Sequence, residues 1–293
     1  MHARHFLQLV LLSAVWGASF PMIRIAAPAF GPLPMACLRC ALAAVVLAVL
    51  MRATGQAWPT RSHWRALTLL AVLTVVAPFV LFNGAGLVLP AGYSAVLNAT
   101  APLFGVLAGA MFAQERLTMR KLAGCAAGLG GVALLVRLGP VVPDWRVVAA
   151  VAACVTASAS YGFGAILMKR ATMTHEPLPA SAAVHVAGAL VLLLPAAIAA
   201  PAVQLRSEAV IALTVLGTVT SGFMYWISMR LMREIPASAA TSSAFLIPMF
   251  GVTWGGLFLG EPFTLGMVPG VALVLVACAL VTGFNPFRLL AAR

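Results

Sequence analysis

The chain has few side chains that could carry protons or act as catalytic acids and bases. It holds six acidic residues and five histidines among 293 residues. All six acidic residues lie near the ends of apolar runs, and of the histidines only His185 lies inside one. Proton carriers usually place a carboxylate within an apolar run. The sequence therefore disfavours proton transfer on a buried carboxylate, and His185 is either a proton carrier or a packed histidine.

Sequence motifs of the common hydrolases and nucleotide-binding enzymes are absent. The chain contains no His-Glu-x-x-His, no Gly-x-Ser-x-Gly and no glycine-rich phosphate loop followed by lysine. Its five cysteines, an odd number, lie within apolar runs and do not indicate a disulfide framework. We therefore predict that the protein is not an enzyme and that it holds no metal and no cofactor.

Aromatic and uncharged polar side chains recur instead inside the apolar runs. Aromatic faces suit the body of a small amphipathic solute, and amides or hydroxyls suit its polar ends. The alternative is that the polar groups only join helices by hydrogen bonds. The predicted substrate-binding residues are Trp16, Phe79, Asn83, Asn98, Tyr161, Tyr225 and Ser243.

Arg39 and His185 form a second candidate pair. They are separated by 146 residues, the same distance that separates Pro102 from Pro248. We predict that Arg39 and His185 are polar or gating residues, unless Arg39 extends toward water or binds a carbonyl group. Pro102 and Pro248 are predicted to kink their helices beside a central pathway, and simple packing kinks are the alternative.

The elements that carry these residues are long and apolar. Hydrophobic residues make up 63% of the chain and charged residues 8%, and the mean hydropathy is +1.06. Runs of about 20 apolar residues are long enough to cross a bilayer as helices. We predict an all-α membrane protein with ten transmembrane helices, near residues 6–26, 34–51, 65–84, 91–112, 119–137, 146–168, 179–199, 208–229, 237–259 and 265–284.

The net charge of +12 follows membrane topology rather than a nucleic-acid-binding face. With the amino terminus inside, most lysines and arginines fall on the cytoplasmic side. The exceptions are Arg24, Arg39, Arg137, Arg146 and Arg206. The sequence therefore predicts a multi-pass membrane protein with both termini in the cytoplasm. Its expected partners are membrane lipid and a small-molecule substrate, with no nucleic acid, and no oligomeric state is predicted.

An internal repeat divides the chain. Residues 102–118 and 248–264 share Pro, Phe, Gly, Val, Glu and Thr at a constant offset of 146 residues. A period near half the chain length indicates a duplicated unit. The predicted domains are residues 1–140 and 141–293, each with five helices. Because five is odd, the second repeat is expected to be inverted in the membrane relative to the first, which is typical of transporters.

Each repeated segment ends with an acidic residue and a threonine. Glu115 and Glu261 precede Thr118 and Thr264 by three residues. We predict that the threonines cap the helices that follow and that the glutamates stabilise those positive helix ends. A gating role for the two glutamates is the alternative.

Three features together resemble a known family. They are the run Trp16-Gly17-Ala18-Ser19-Phe20 in the first span, Arg39 early in the second span, and the duplicated signature from proline to glutamate and threonine. The chain resembles the drug/metabolite transporter superfamily, in its ten-helix EamA-type family. This resemblance implies an inner-membrane exporter of small metabolites, often amino acids. It also implies a central cavity lined by the first, third, fourth, sixth, eighth and ninth helices.

The predicted function is export of amino acids, including aromatic ones, or of similar small amphipathic metabolites. Bacterial amino-acid exporters are the family members that the chain resembles in length and apolar character. Alternating access of the two repeats about a central site would move the solute, by facilitated diffusion or exchange. The alternative is an exporter of drugs or lipophilic cations, which aromatic faces alone would have to attract.

Overall fold

The computed structural model describes residues 3–112, 118–138, 141–142, 144–200, 203–234 and 243–282. Within these residues every regular element is helical, and ten helical segments follow one another. They are α1 Ala3–Phe30, α2 Pro32–Ala53, α3 Arg61–Ala85, α4 Ala91–Met111, α5 Met119–Leu138, α6 Trp145–Thr174, α7 Pro177–Ala199, α8 Ser207–Glu234, α9 Ser243–Leu259 and α10 Val268–Thr282. Glu115 and residues 237–242 of the predicted ninth span lie outside the described residues.

Seven of these helices are long and apolar enough to cross a membrane, counted over the described residues: α1 to α4 and α6 to α8. Two shorter apolar helical stretches are Leu246–Leu259 and Leu265–Val281. Large apolar side chains are exposed on the outside of the bundle, for example Leu190, Leu194 and Ile198 on α7. Such an exterior suits lipid rather than water. The predicted all-α membrane fold is confirmed.

Proline, glycine and aspartate set several helix boundaries. Pro32 and Pro177 are the first residues of α2 and α7, where a proline loses no helical hydrogen bond. Gly31, with a φ of 74°, is the single residue between α1 and α2. Asp144 caps α6, because its carboxylate accepts a 2.8 Å hydrogen bond from the Val147 N–H. The sequence therefore holds the ends of α2, α6 and α7 in place by local interactions.

Helix packing follows one pattern in both halves of the chain. In the middle of the bundle α2 packs against α7 and α4 against α9, while α5 packs against α10. The contact of α1 with α9 corresponds to that of α6 with α4, and the contact of α1 with α8 to that of α6 with α3. Exchanging α1–α5 for α6–α10 leaves these pairings unchanged. The inverted orientation in the membrane and the two domain boundaries stay predictions.

Glycines allow two equivalent pairs of helices to approach closely. A Cβ added to Gly162 on α6 would lie 2.6 Å from the Gly105 nitrogen on α4. A Cβ added to Gly17 on α1 would lie 2.9 Å from the Gly251 nitrogen on α9. Small residues of this kind let transmembrane backbones touch, so that dispersion contacts hold the helices together. These close contacts join helices of the first half of the chain to helices of the second half.

Three helices are irregular near the centre of the bundle. The residues Val72–Val76 in α3 and Leu216–Phe223 in α8 form π-helical turns. Such turns are frequent at functional sites. In α4 the regular helix stops at Asn98 and begins again at Ala101, immediately before Pro102. The ninth helix, by contrast, continues through Pro248. The equivalent π-helical turns of α3 and α8 lie next to the buried polar residues described below.

Candidate substrate-binding site

Arg39 is buried near the middle of the bundle, with only 6% of its surface exposed. Its Nε donates a 2.6 Å hydrogen bond to the Ser221 hydroxyl, and Nη2 donates one of 3.3 Å to the Thr220 hydroxyl. The guanidinium carbon lies 3.7 Å from the centre of the Phe79 ring. Among the described residues no carboxylate forms an ion pair with Arg39. The site therefore holds a buried positive charge balanced only by neutral hydroxyls and an aromatic face.

His185 occupies the equivalent place on α7 and is completely buried. Its Nδ1 lies 2.9 Å from the Ser181 carbonyl oxygen. Since a carbonyl oxygen can only accept, Nδ1 carries the hydrogen, and Nε2 of the neutral ring is then an acceptor. Nε2 has no hydrogen-bond partner among the described residues. The ring packs edge-on against Tyr225, with the ring centres 4.8 Å apart.

Two threonines on the π-helical turns complete these contacts. Thr74 on α3 donates to the Leu70 carbonyl at 2.7 Å, so its oxygen accepts from the Tyr225 hydroxyl at 2.9 Å. Thr220 on α8 donates in the same way to the Leu216 carbonyl at 2.7 Å, and its oxygen accepts from Arg39. Each threonine oxygen thus serves as a fixed acceptor facing the other half of the chain.

The sequence prediction missed both threonines. Thr74 and Thr220 are separated by the same 146 residues as Arg39 and His185, and a leucine precedes each by four residues. That repetition in the sequence could have indicated the two threonines. It was not enough to predict contacts between helices, because a threonine inside a transmembrane helix usually bonds only its own backbone.

An aromatic wall lies beside the polar residues. Tyr161 on α6 stacks on Phe82, with ring centres 6.2 Å apart, and Phe82 meets the edge of Phe20 at 5.6 Å. Trp16 and Tyr161 both pack against the buried cluster that contains Phe20 and Phe82. Trp16 joins the same region through α8, because its Nε1 donates to the Thr220 carbonyl at 3.1 Å.

The structure brings most of the predicted site residues together, with three exceptions. Asn83 donates from Nδ2 to the Pro32 carbonyl at 3.2 Å, at the start of α2. Asn98 lies at the break in α4, and its buried Oδ1 has no hydrogen-bond partner among the described residues. Ser243 lines a separate cleft of about 280 Å³, partly open to solvent, together with Trp16 and Ser228. The central group is Trp16, Arg39, Phe79, Tyr161, His185 and Tyr225.

Glu261 is placed differently from the prediction of local capping. Its two carboxylate oxygens accept hydrogen bonds from the backbone N–H groups of Ala91 and Gly92, at 2.8 and 3.2 Å. Glu261 thus caps α4 in the other half of the chain, and the prediction that it stabilises the helix after it is wrong. Arg24 lies 3.9 Å from the same carboxylate and also donates to the Gly86 carbonyl at 3.0 Å. This cluster ties α1 and the start of α4 to the turn after α9.

The two threonines of the repeat also differ. The Thr118 hydroxyl accepts a 3.3 Å hydrogen bond from the Lys121 N–H, so Thr118 caps α5 as predicted. Thr264 occupies the N-cap position of the helical turn Leu265–Met267 that leads into α10, as predicted, but its buried hydroxyl makes no hydrogen bond within the described residues.

The remaining described acids lie at helix ends, away from the central group. Glu176 pairs with Arg233 at 3.0 Å, and Glu208 pairs with Arg206 at 2.6 Å. Glu234 pairs with Arg230 at 3.1 Å. In the described part of the chain, no group of histidine, cysteine and acidic residues could hold a metal ion.

A bundle of apolar helices around a buried polar and aromatic centre is the architecture of a multi-pass membrane transporter. The profile of the EamA-like transporter family matches the chain twice, over residues 5–137 and 148–283. The chain belongs to this family. Its members are transporters and not enzymes, as predicted.

Several curated proteins are similar in sequence. A protein of Streptantibioticus cattleyicolor, described as a probable terminal-alkyne amino-acid exporter, is 32% identical over 131 residues, which span 45% of this chain and 44% of that protein. An uncharacterized transporter of Archaeoglobus fulgidus is 26% identical over 95% of this chain and 98% of its own length. The uncharacterized inner membrane transporter YedA of Escherichia coli strain K12 is 28% identical over 93% of this chain and 88% of its own.

A protein of known crystal structure has the same fold. It superposes with a TM-score of 0.70, covering 96% of this chain and 99% of the other, at 16% identity. At this identity the similarity shows the fold alone.

Proposed function

We propose that this chain is an inner-membrane carrier that exports amino acids, including aromatic ones, or similar small amphipathic metabolites. The observation that carries the proposal is the buried Arg39, which has neutral hydroxyls and the Phe79 ring as its partners. A cation in this position attracts a solute that brings its own negative group. The aromatic wall of Phe20, Phe82 and Tyr161 suits the apolar part of the same solute.

The similarities support the same choice of substrate. The Streptantibioticus relative is described as a probable terminal-alkyne amino-acid exporter. A solute of that kind has a zwitterionic end and an apolar end, which matches a site with polar and aromatic parts. The location in the inner membrane is supported by the description of YedA.

Export of lipophilic cations is the second candidate function, and the central charge argues against it. A permanent cation would meet the like charge of Arg39 in a medium of low dielectric constant. Apart from Glu261, the acidic residues in the described part of the chain lie at helix ends. Glu176, Glu208 and Glu234 pair with arginines, and Asp144 caps α6. Glu261 itself binds α4. None of them lies beside the aromatic wall to offset the repulsion.

We propose alternating access of the two repeats as the transport mechanism, with facilitated diffusion or exchange rather than proton coupling. The described interior offers no carboxylate as a proton carrier. With both termini in the cytoplasm, the Glu261 cluster lies at the outer end of the bundle and holds α4 against the turn after α9. Transport outward would then require this cluster to open.

Reconstituted vesicles test the proposal. Vesicles loaded with one unlabelled amino acid at a time should accumulate the same labelled amino acid by exchange, without an imposed pH gradient. Lipophilic cations such as tetraphenylphosphonium should not be exchanged. Failure with all common amino acids would refute the proposed substrate class, and dependence on a pH gradient would refute uncoupled transport.

A further inference from the structure

We propose that Arg39 and His185 bind the two charged ends of an amino acid: Arg39 binds the carboxylate, and Nε2 of His185 accepts a hydrogen bond from the ammonium group. The inference rests on the proposed function and assigns the substrate contacts within it. It is carried by two buried side chains with opposite hydrogen-bonding character at equivalent positions of the two halves.

The first step concerns Arg39. A guanidinium group has five N–H donors in a planar fork. The hydrogen bonds of Arg39 within the described residues use two of them, and both acceptors are neutral hydroxyls. A carboxylate offers two charged oxygens that match the fork, and such charge-assisted pairs are shorter and stronger than bonds to a hydroxyl. A carboxylate that enters the site would therefore displace Ser221 and Thr220 from Arg39.

The second step concerns His185. Its Nδ1–H is held by the Ser181 carbonyl, which fixes the tautomer and leaves Nε2 as an acceptor. Nε2 is fully buried and lacks a partner among the described residues. A buried acceptor without a hydrogen bond is costly, and it is uncommon in a folded protein unless it serves a function. An ammonium group has the N–H donors that this atom lacks.

The third step concerns how the two groups are held relative to each other. The helices α2 and α7, which carry them, pack directly against one another. Phe79, which contacts Arg39, and Tyr225, which contacts His185, belong to one cluster of buried side chains, so the two polar groups border the same region. Their rings, Phe79 under Arg39 and Tyr225 against His185, correspond at the 146-residue offset. The frame of the site is therefore nearly symmetric, while its two polar groups are a donor and an acceptor.

This asymmetry orients the substrate. A zwitterion can satisfy both groups only when its carboxylate lies at α2 and its ammonium group at α7. A solute with one charged end leaves either Arg39 without a negatively charged partner or the histidine nitrogen without a hydrogen bond. Sites that hydrogen-bond a polar group strongly reject analogues that lack it, because the buried partner is then unpaired. The pair thus selects amino acids over amines and over simple carboxylates.

The test measures exchange of labelled L-phenylalanine in vesicles, with unlabelled competitors that lack one end. Phenethylamine lacks the carboxylate, and 3-phenylpropanoate lacks the ammonium group. For the wild-type protein, each competitor should be at least about tenfold weaker than L-phenylalanine. A wild-type protein that accepts either analogue as well as L-phenylalanine would overturn the inference.

Variants separate the two contacts. Arg39→Gln should lose the preference for L-phenylalanine over phenethylamine, and Arg39→Lys should keep part of it. His185→Phe should lose the preference over 3-phenylpropanoate, whereas His185→Gln, which can place an amide oxygen near Nε2, should keep part of it. Arg137→Gln, at the exposed end of α5, is the matched control and should behave as wild type.

The outcomes are distinguishable from failure of the proposed function. If the wild-type protein exchanges L-phenylalanine but Arg39→Gln keeps the wild-type preference, the assignment of Arg39 fails and amino-acid transport stands. The same holds for His185→Phe. If Arg39→Gln or His185→Phe does not reach the membrane, the substrate contacts are tested instead by the wild-type competition series and by Arg39→Lys and His185→Gln. If the wild-type protein exchanges none of the common amino acids, the proposed function itself fails.

Discussion

Arg39 and His185 are equivalent residues of the two halves: Arg39 packs against Phe79, and His185 packs against Tyr225. Each aromatic residue follows its partner by the same number of residues in the sequence. The equivalence extends to the threonines on the π-helical turns, since Thr220 accepts from Arg39 and Thr74 accepts from Tyr225. The two halves therefore place similar residues around the centre, while Arg39 supplies donors where His185 supplies an acceptor.

The aromatic wall can be tested at Tyr161. Tyr161→Ala removes the ring that stacks on Phe82, and we expect it to lower amino-acid exchange by about tenfold. Tyr161→Phe keeps the ring and should retain most of the activity. The measurement is the initial exchange rate in vesicles, normalised to the amount of protein inserted. Equal rates in all three proteins would remove Tyr161 from the site.

Asn98 allows stability and transport to be separated. Its buried Oδ1 has no partner among the described residues, so Asn98→Ala removes a group that destabilises the closed bundle. We expect an unchanged or higher thermal midpoint in detergent together with reduced exchange. A lower midpoint would indicate that Asn98 is a structural residue, and full activity would show that it does not contact substrate.

The Glu261 cap should stabilise the bundle. Glu261→Gln loses the charge that binds the first two N–H groups of α4, and we expect a cost of about 1 kcal/mol. Thermal unfolding in detergent measures this as a lower midpoint. Glu208→Gln breaks an exposed pair with Arg206 and is the control, and its midpoint should stay close to that of the wild type. Equal shifts in the two variants would contradict the structural role of the cap.

Close helix contact can be tested at Gly162. A Cβ there would lie 2.6 Å from the Gly105 nitrogen, so Gly162→Ala should force α4 and α6 apart at a cost of about 1–3 kcal/mol. Gly256→Ala is the control, because within the described part of the chain its Cβ would meet only the Glu261 carbonyl oxygen, at 3.7 Å. That substitution should be neutral or stabilising by about 0.5–1 kcal/mol. Comparable losses in both variants would refute the close α4–α6 contact.

The inverted arrangement predicts opposite locations for the two repeat ends. Single cysteines at Thr118 and Phe263 in a cysteine-free background should react differently with a membrane-impermeant reagent added to intact cells, since both side chains are exposed. Phe263 should be labelled from outside, and Thr118 only after the membrane is opened. A cysteine at Gly55, in the turn after α2, is expected to behave like Thr118. Labelling of Thr118 and Phe263 from the same side would refute the inversion.

The amino-acid sequence by itself determined the class of fold and its composition of ten helices. Apolar runs long enough to span a bilayer form helices, because no other open structure satisfies the backbone in lipid. Duplication could be detected because Pro102 and Glu115 return as Pro248 and Glu261. The same offset also identified Arg39 and His185 as equivalent.

Only the tertiary structure decided which polar groups meet. Capping by Glu261 could not be assigned from sequence, because a carboxylate binds whichever helix end the fold brings near it, and here that end belongs to the other half of the chain. The hydrogen-bond partners of Arg39 lie 181 and 182 residues away in the sequence, on a π-helical turn that apolar periodicity does not predict. Local hydrophobicity specifies helices, whereas contacts between distant polar groups depend on how those helices pack.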